Sequence, residues 1–235
     1  MVFALTVSVG SFVALGLLIL TWPFDRTRAV PGRFVRLCAV FVAKLNPLWD
    51  FRIHGELPRV RPRKTVVVSN HVSNSDVFLV SHLPWEMKWL AKSSLFWIPF
   101  VGWLLSFGGD VPVRRGAKQS IAGAMGRMRW YLDRNMPVAI FPEGTRSETG
   151  ELGPFKDGAF RLALEAGADV LPVAVIGTRD ALPKHSWKFG RAKGRVAVGT
   201  AIATAGLDLE ALKTAARAQI EHLRAQLAQR GDPSP

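Results

Sequence analysis

The chain has a single cysteine in 235 residues, Cys38, so no intrachain disulfide and no cysteine-rich zinc site can form. Acidic side chains are also scarce: 18 Asp and Glu stand against 31 Lys and Arg, a net charge of +13. So basic a chain is expected to meet an anionic partner, which could be nucleic acid, a membrane surface or a phosphorylated substrate. No zinc-finger, KH or RRM signature occurs, which argues against nucleic acid. No Gly-x-Ser-x-Gly elbow occurs either, so the serine-hydrolase arrangement is missing, although Ser69 and Ser73 flank His71. There is no internal repeat and no low-complexity linker. The length suits one catalytic domain with appendages better than two domains.

What the chain has in quantity is apolar surface, with 49% hydrophobic residues and eight Trp. Residues 2–22, VFALTVSVGSFVALGLLILTW, contain no charged side chain, and a helix of that length reaches about 30 Å, the thickness of a bilayer core. No Lys or Arg precedes the run and no small-x-small site follows it, so a membrane segment is expected rather than a cleaved leader. Arg26, Arg28, Arg33 and Arg36 follow closely, which predicts an inner-membrane protein with its catalytic domain on the cytoplasmic face. A second apolar run, from Phe34 to Leu45, is too short to span, so the pair either includes one span or forms a hairpin sunk into one leaflet. Residues 1–48 are read as a membrane-anchoring helical segment. Cys38 lies in an apolar setting that suggests plain packing.

From Trp49 the pattern changes to short apolar strands broken by turns and helices, the alternation of an α/β domain over residues 49–235. The expected fold is a mixed, mostly parallel sheet flanked by helices. Strands are predicted at Phe51 to His54, Thr65 to Ser69, Lys88 to Ala91, Val111 to Val113, Val138 to Phe141, Val170 to Ile176 and Arg195 to Ile202. Helices are predicted at Asp76 to His82, Lys118 to Asp133 and Gly158 to Ala166. Leu209, Leu212, Ala216, Ile220, Leu223 and Leu227 recur at helical spacing, and the final GDPSP is expected to fray. The block from Trp85 to Phe107 is nearly as apolar as the N-terminus, but Pro99, Gly102, Lys88 and Lys92 interrupt it. It reads either as an interfacial element or acyl groove, or as core.

Three stretches carry chemistry. In VVVSNHVSNSDVF, His71 and Asp76 would point about 140° apart on a regular helix. They can meet only across a turn, with His71 at a strand end and Asp76 in the first turn of the next helix. There the carboxylate would fix the imidazole tautomer and make His71 a general base. In PVAIFPEGTRSETG, a strand stopped by Pro142 turns through Glu143, Gly144, Thr145 and Arg146; Gly144 permits close backbone approach to a ligand, and Arg146 offers a planar fork suited to phosphate. In GGDVPVRRG, Arg114 and Arg115 follow a short strand, and one of them is expected to point into the site. Lys156, in PFKDG, can add to the same anion site.

Together these pieces resemble the 1-acylglycerol-3-phosphate acyltransferase family. Asn70, His71 and Asp76, then GGDVPVRRG, FPEGTRS (Phe141 to Ser147) and VLPVAV (Val170 to Val175) stand in that family's order, and LAKSSLFWIPFVGW, with Lys92, looks like the segment between its first motifs. The resemblance implies that His71 is the general base and Asp76 its orienting acid. It further implies that Arg115, Glu143, Gly144, Thr145 and Arg146, with Lys156, form the acceptor-phosphate site, supported by Asn70 and Lys92. Pro112, Val113 and Arg114 depart from the aromatic, apolar and Asp residues common before that Arg. The expected reaction passes a fatty acyl group from acyl-CoA or acyl carrier protein to the free sn-2 hydroxyl of 1-acylglycerol-3-phosphate at an anionic membrane surface; the alternatives are another lysophospholipid or an amino-acid lysolipid as acceptor, or an anionic-lipid-binding membrane protein without turnover. No metal, no cofactor beyond the acyl donor and no covalent enzyme intermediate are expected.

Overall fold

The computed structural model describes residues 2–183 and 188–229; the expected fraying of the last five residues lies outside them. Seven strands form one sheet: β1 (Arg52–His54), β2 (Thr65–Ser69), β3 (Lys88–Lys92), β4 (Val111–Val113), β5 (Val138–Ile140), β6 (Asp169–Ile176) and β7 (Arg195–Val198). Their order is β1-β7-β6-β2-β5-β3-β4. Every neighbouring pair is parallel except β6 and β7. β2 lies in the middle, and all five of its residues, TVVVS, are buried. A continuous β-branched run of this kind suits a parallel strand covered on both faces.

One face packs against α5 (Lys118–Leu132), α6 (Gly158–Ala166) and α7 (Leu209–Gln229), through a core including Val66, Val68, Met128, Val138, Phe160, Leu212 and Ile220. The other face holds Val67, Leu171, Val173 and Val175 beneath Leu79, Leu83, Trp85 and Trp89; Leu79 belongs to α3 (Asp76–Val80). The Trp-rich block therefore divides. Trp85 and Trp89 are core. Past β3 the chain turns through a 3-10 segment (Ser93–Trp97) into α4 (Val101–Gly108), and Trp97 and Trp103 stand on the surface, 87% and 46% exposed.

α1 (Val2–Thr21) buries only Gly10, Ser11 and Ala14, and the Ser11 hydroxyl donates to the Phe100 carbonyl. By length and composition it is apolar enough to cross a membrane. α2 (Ala29–Leu45) has 17 residues and starts five earlier than the apolar pattern indicates. Pro31 and Gly32 read as breakers in the sequence, but both lie in the first turn: the N–H that Pro31 lacks would have no intrahelical partner there, and the Gly32 N–H is bonded to the Arg28 carbonyl at 2.9 Å. A Cβ on Gly32 would meet Glu86 Oε1 and Lys88 Nζ at 2.3 Å, so glycine is what lets α2 come down onto the end of β3.

That contact joins the helical segment to the sheet through buried charge. Lys88 Nζ donates to the carbonyls of Arg28 and Gly108 and to Glu86 Oε1. Arg36 pairs with Asp110, whose other oxygen accepts from the Trp89 backbone N–H. Burial pushes the Lys88 pKa down and the Glu86 pKa up, each opposed by the other's charge. Removing one member of such a group costs about 3–5 kcal/mol, because it leaves a buried charge unpaired.

Candidate active site

β2 ends between its neighbours β5 and β6, so three strand ends open on one edge, where open α/β sheets form their sites. His71 leaves β2 in the loop before α3, and Asp76 is the first residue of that helix. The turn between them brings Nδ1 of His71 to 2.7 Å from Oδ2 of Asp76. The same oxygen accepts from the backbone N–H groups of Val72 and Ser73, at 2.8 and 2.9 Å. Oδ1 accepts from the hydroxyl of Thr178, in the loop after β6. An acceptor-only carboxylate with this many donors holds the Nδ1–H tautomer, so Nε2 keeps the lone pair that can take a proton.

The loop after β5 holds the other side of His71. Glu143 Oε1 accepts the His71 backbone N–H at 2.8 Å, and the Ser147 N–H donates to the His71 carbonyl at 2.8 Å. Phe141 lays its ring on the imidazole, with centroids 3.9 Å apart and planes 11° from parallel, and Trp89 lies beyond it at 5.4 Å. Asn70 extends the sheet with its side chain: Nδ2 donates to the Val175 carbonyl and Oδ1 accepts the Val175 N–H, both at 2.9 Å. The loop after β5 thus fixes the main chain and the ring face of His71, and Asp76 on α3 fixes its tautomer.

Glu143 is placed differently from the phosphate contact expected of it. Its second oxygen accepts the Gly153 N–H at 3.0 Å, so both oxygens are engaged with backbone donors, and a carboxylate beside phosphate would repel it. Burial raises the Glu143 pKa, against the pull of those two N–H groups. Gly144 has φ +69, and a Cβ there would meet Lys156 Nζ at 2.8 Å. The positive φ favours glycine at this turn, and the Lys156 side chain lies across it. Thr145 and Lys156 line a cavity of about 430 Å³ with Ser147, Leu152 and Phe155.

The cationic side of the site is more open. Arg146 is half-buried, with Nη1 buried and without a hydrogen-bond partner among the described residues. Burial and the neighbouring charge of Arg115 push its pKa down, while Asp76 pulls it up, so these groups share one electrostatic neighbourhood. Arg114 and Arg115 both lie past the end of β4 and are exposed; Arg115 is the one felt by Arg146, while the Arg114 N–H is bonded to the Ser120 hydroxyl. Lys92, exposed at the end of β3, pairs in register with Val113. Ser69 and Ser73 donate to the carbonyls of Asn70 and Leu182, so neither hydroxyl is offered to His71 as a nucleophile. Phe141 and Thr178 were missed as site residues in the sequence. Phe141 lies within a motif but reads as the end of a strand, and Thr178 carries no local signal.

Fold and site together define a class: an α/β domain whose sheet edge presents one histidine, oriented by a buried carboxylate, next to guanidinium groups that form no salt bridge among the described residues. The chain belongs to the acyltransferase family, whose model matches residues 50–176. It is 34% identical over 192 residues to a chloroplastic 1-acyl-sn-glycerol-3-phosphate acyltransferase of Brassica napus, covering 78% of this chain and 55% of that one. It is 35% identical over 184 residues to a lyso-ornithine lipid O-acyltransferase of Pseudomonas aeruginosa, covering 75% and 69%. The crystal structure of the 1-acyl-sn-glycerophosphate acyltransferase of Thermotoga maritima superposes with a TM-score of 0.73 at 24% identity, over 96% of this chain and 95% of that one. This likeness establishes the mixed, mostly parallel fold. The chain spans about half the length of the plant and algal relatives it matches.

Proposed function

We propose that this protein transfers a fatty acyl group from an acyl thioester, acyl-CoA or acyl carrier protein, to the free sn-2 hydroxyl of 1-acylglycerol-3-phosphate, forming phosphatidic acid. The observation that carries the reading is the 2.7 Å contact of His71 Nδ1 with Asp76, next to the guanidinium groups of Arg115 and Arg146. Nε2 takes the proton of the acceptor hydroxyl as that oxygen attacks the thioester carbonyl, and Asp76 stabilises the imidazolium that forms. The tetrahedral intermediate expels the thiolate, which takes the proton from His71 Nε2 and so restores the free base. No acyl-enzyme is needed. Arg115 and Arg146, with Lys156, hold the acceptor phosphate and so bring the hydroxyl within reach of Nε2. Glu143 acts here as a positioning residue, holding the His71 main chain. Lys92 lies on the same edge and adds to the positive field. The apolar α1 keeps the enzyme at the inner membrane with the domain on the cytoplasmic side, where an amphiphilic acceptor is found.

A second reading, an amino-acid lysolipid as acceptor, is favoured by the similarity to the lyso-ornithine lipid enzyme, which matches that of the plant relative. Arg115 and Arg146, which form no salt bridge among the described residues, favour phosphate. The test gives purified enzyme both donors with lysophosphatidic acid, other lysophospholipids and lyso-ornithine lipid, and identifies products by mass spectrometry. Phosphatidic acid is the expected main product; acylation of lyso-ornithine lipid alone would overturn the assignment.

A further inference from the structure

The segment from Glu148 to Gly153 is held by arginines that lie beyond the family match at residues 50–176. Arg179 donates to the carbonyls of Glu148 and Thr149, at 2.6 and 3.2 Å. Arg224 donates to Gly150 at 2.6 Å. Arg217 donates to Leu152 and Gly153, at 2.9 and 2.7 Å. Arg217 and Arg224 stand two turns apart on one face of α7, about 10.5 Å along the axis, close to the extended reach of the three residue steps from Gly150 to Gly153, about 10 Å. The helix therefore acts as a rigid gauge for this stretch of loop.

The stretch matters because of its last residue. The Gly153 N–H donates to Glu143 Oε2 at 3.0 Å, and Glu143 Oε1 accepts the N–H of His71 at 2.8 Å. The residues from Glu151 to Lys156 also wall the 430 Å³ cavity beside Thr145 and Lys156. We infer that the C-terminal helix is part of the catalytic apparatus: Arg217 and Arg224 are positioning residues that set the place of His71 through the relay from the loop carbonyls to Gly153 N–H, Glu143 and His71 N–H. The inference rests on His71 as the base of the proposed reaction. A polar face on α7 would otherwise be read as solvated surface, but Arg224 is 7% exposed, and its guanidinium is turned to a loop carbonyl rather than to water.

The test compares Arg217→Met, Arg217→Lys and Arg224→Met in the full chain, measuring kcat, acceptor KM and thermal midpoint for each. Displacing a base by a fraction of an ångström to an ångström lowers kcat about 10- to 100-fold. Arg217→Met is expected to show that loss with acceptor KM within about twofold, and Arg217→Lys, which keeps one donor, to recover part of it. Arg217 is only partly buried, so its variants remain informative if Arg224→Met fails to fold. A lowered midpoint with kcat per folded molecule unchanged in Arg217→Met would show that the arginines only stabilise the loop, and would overturn the inference. His71→Ala, run in parallel, separates the two levels: if it stays active the base assignment falls, whereas an inactive His71→Ala beside a fully active Arg217→Met removes only the role of α7.

Discussion

Within one edge of the sheet, His71, Asp76 and Glu143 are buried and hydrogen-bonded to one another or to backbone, whereas Arg115, Lys156 and Lys92 are exposed and Arg146 keeps a guanidinium nitrogen without a partner among the described residues. The first group is organised before substrate arrives, and its donors and acceptors satisfy one another. The second forms no salt bridge among the described residues, although the charge of Asp76 acts on Arg146, and in the proposed reaction it takes up an anion from outside. The difference separates two jobs: proton transfer needs a fixed lone pair, and phosphate capture needs unpaired, hydrogen-bonding cations.

Substitutions on either side can break or sharpen that division. The largest effect is expected from His71→Ala, which removes the base and lowers kcat about 10⁴-fold, near the top of the range for general-base catalysis; steady-state kinetics on the folded variant checks it. Asp76→Asn keeps the shape but favours the wrong tautomer and leaves Val72, Ser73 and Thr178 with a poorer acceptor. Its kcat should fall about 10²- to 10³-fold, with acceptor KM little changed. On the cationic side the signature reverses. Arg146→Ala should raise acceptor KM about 10- to 100-fold through loss of a charge-assisted contact, with the larger part of kcat retained at saturation; an equal fall of kcat would dissolve the division.

The smallest effect concerns pH. Burial raises the Glu143 pKa in the folded protein, so its contribution to stability is complete below the unfolded value of about 4.3 and is lost as pH rises through the folded value. Glu143→Gln removes that slope. Melting curves across this window should show the parent losing stability relative to the variant as pH increases, and a constant difference would mean that the carboxylate carries no burial penalty.

The strands of the sheet were legible because β-branched runs such as Val66 to Val68 and Val170 to Ile176 are bounded by turn residues. The strand starting at Arg195 was read too, four residues longer than the observed β7 (Arg195–Val198), but its antiparallel direction was not, since direction depends on a connection without a signature. α2 was read too short because Pro31 and Gly32 look like breakers wherever they stand. Within the site, the meeting of His71 with Asp76 was derivable from five-residue spacing and turn chemistry. Glu143 lies 72 residues from His71 and Thr178 lies 102 from Asp76, and no local pattern announces partners at that distance. Arg217 and Arg224 stayed hidden for a related reason: on a helix of amphipathic spacing, charged residues off the apolar stripe read as solvent-facing.

The most direct measurement is equilibrium binding of lysophosphatidic acid to His71→Ala and to Arg146→Ala, set beside their turnover. If proton transfer and phosphate capture are separate, His71→Ala binds the acceptor within about twofold of the parent while transferring almost nothing, and Arg146→Ala binds it about tenfold or more weakly. Equal loss of binding in both variants, or transfer retained by His71→Ala, would contradict the account.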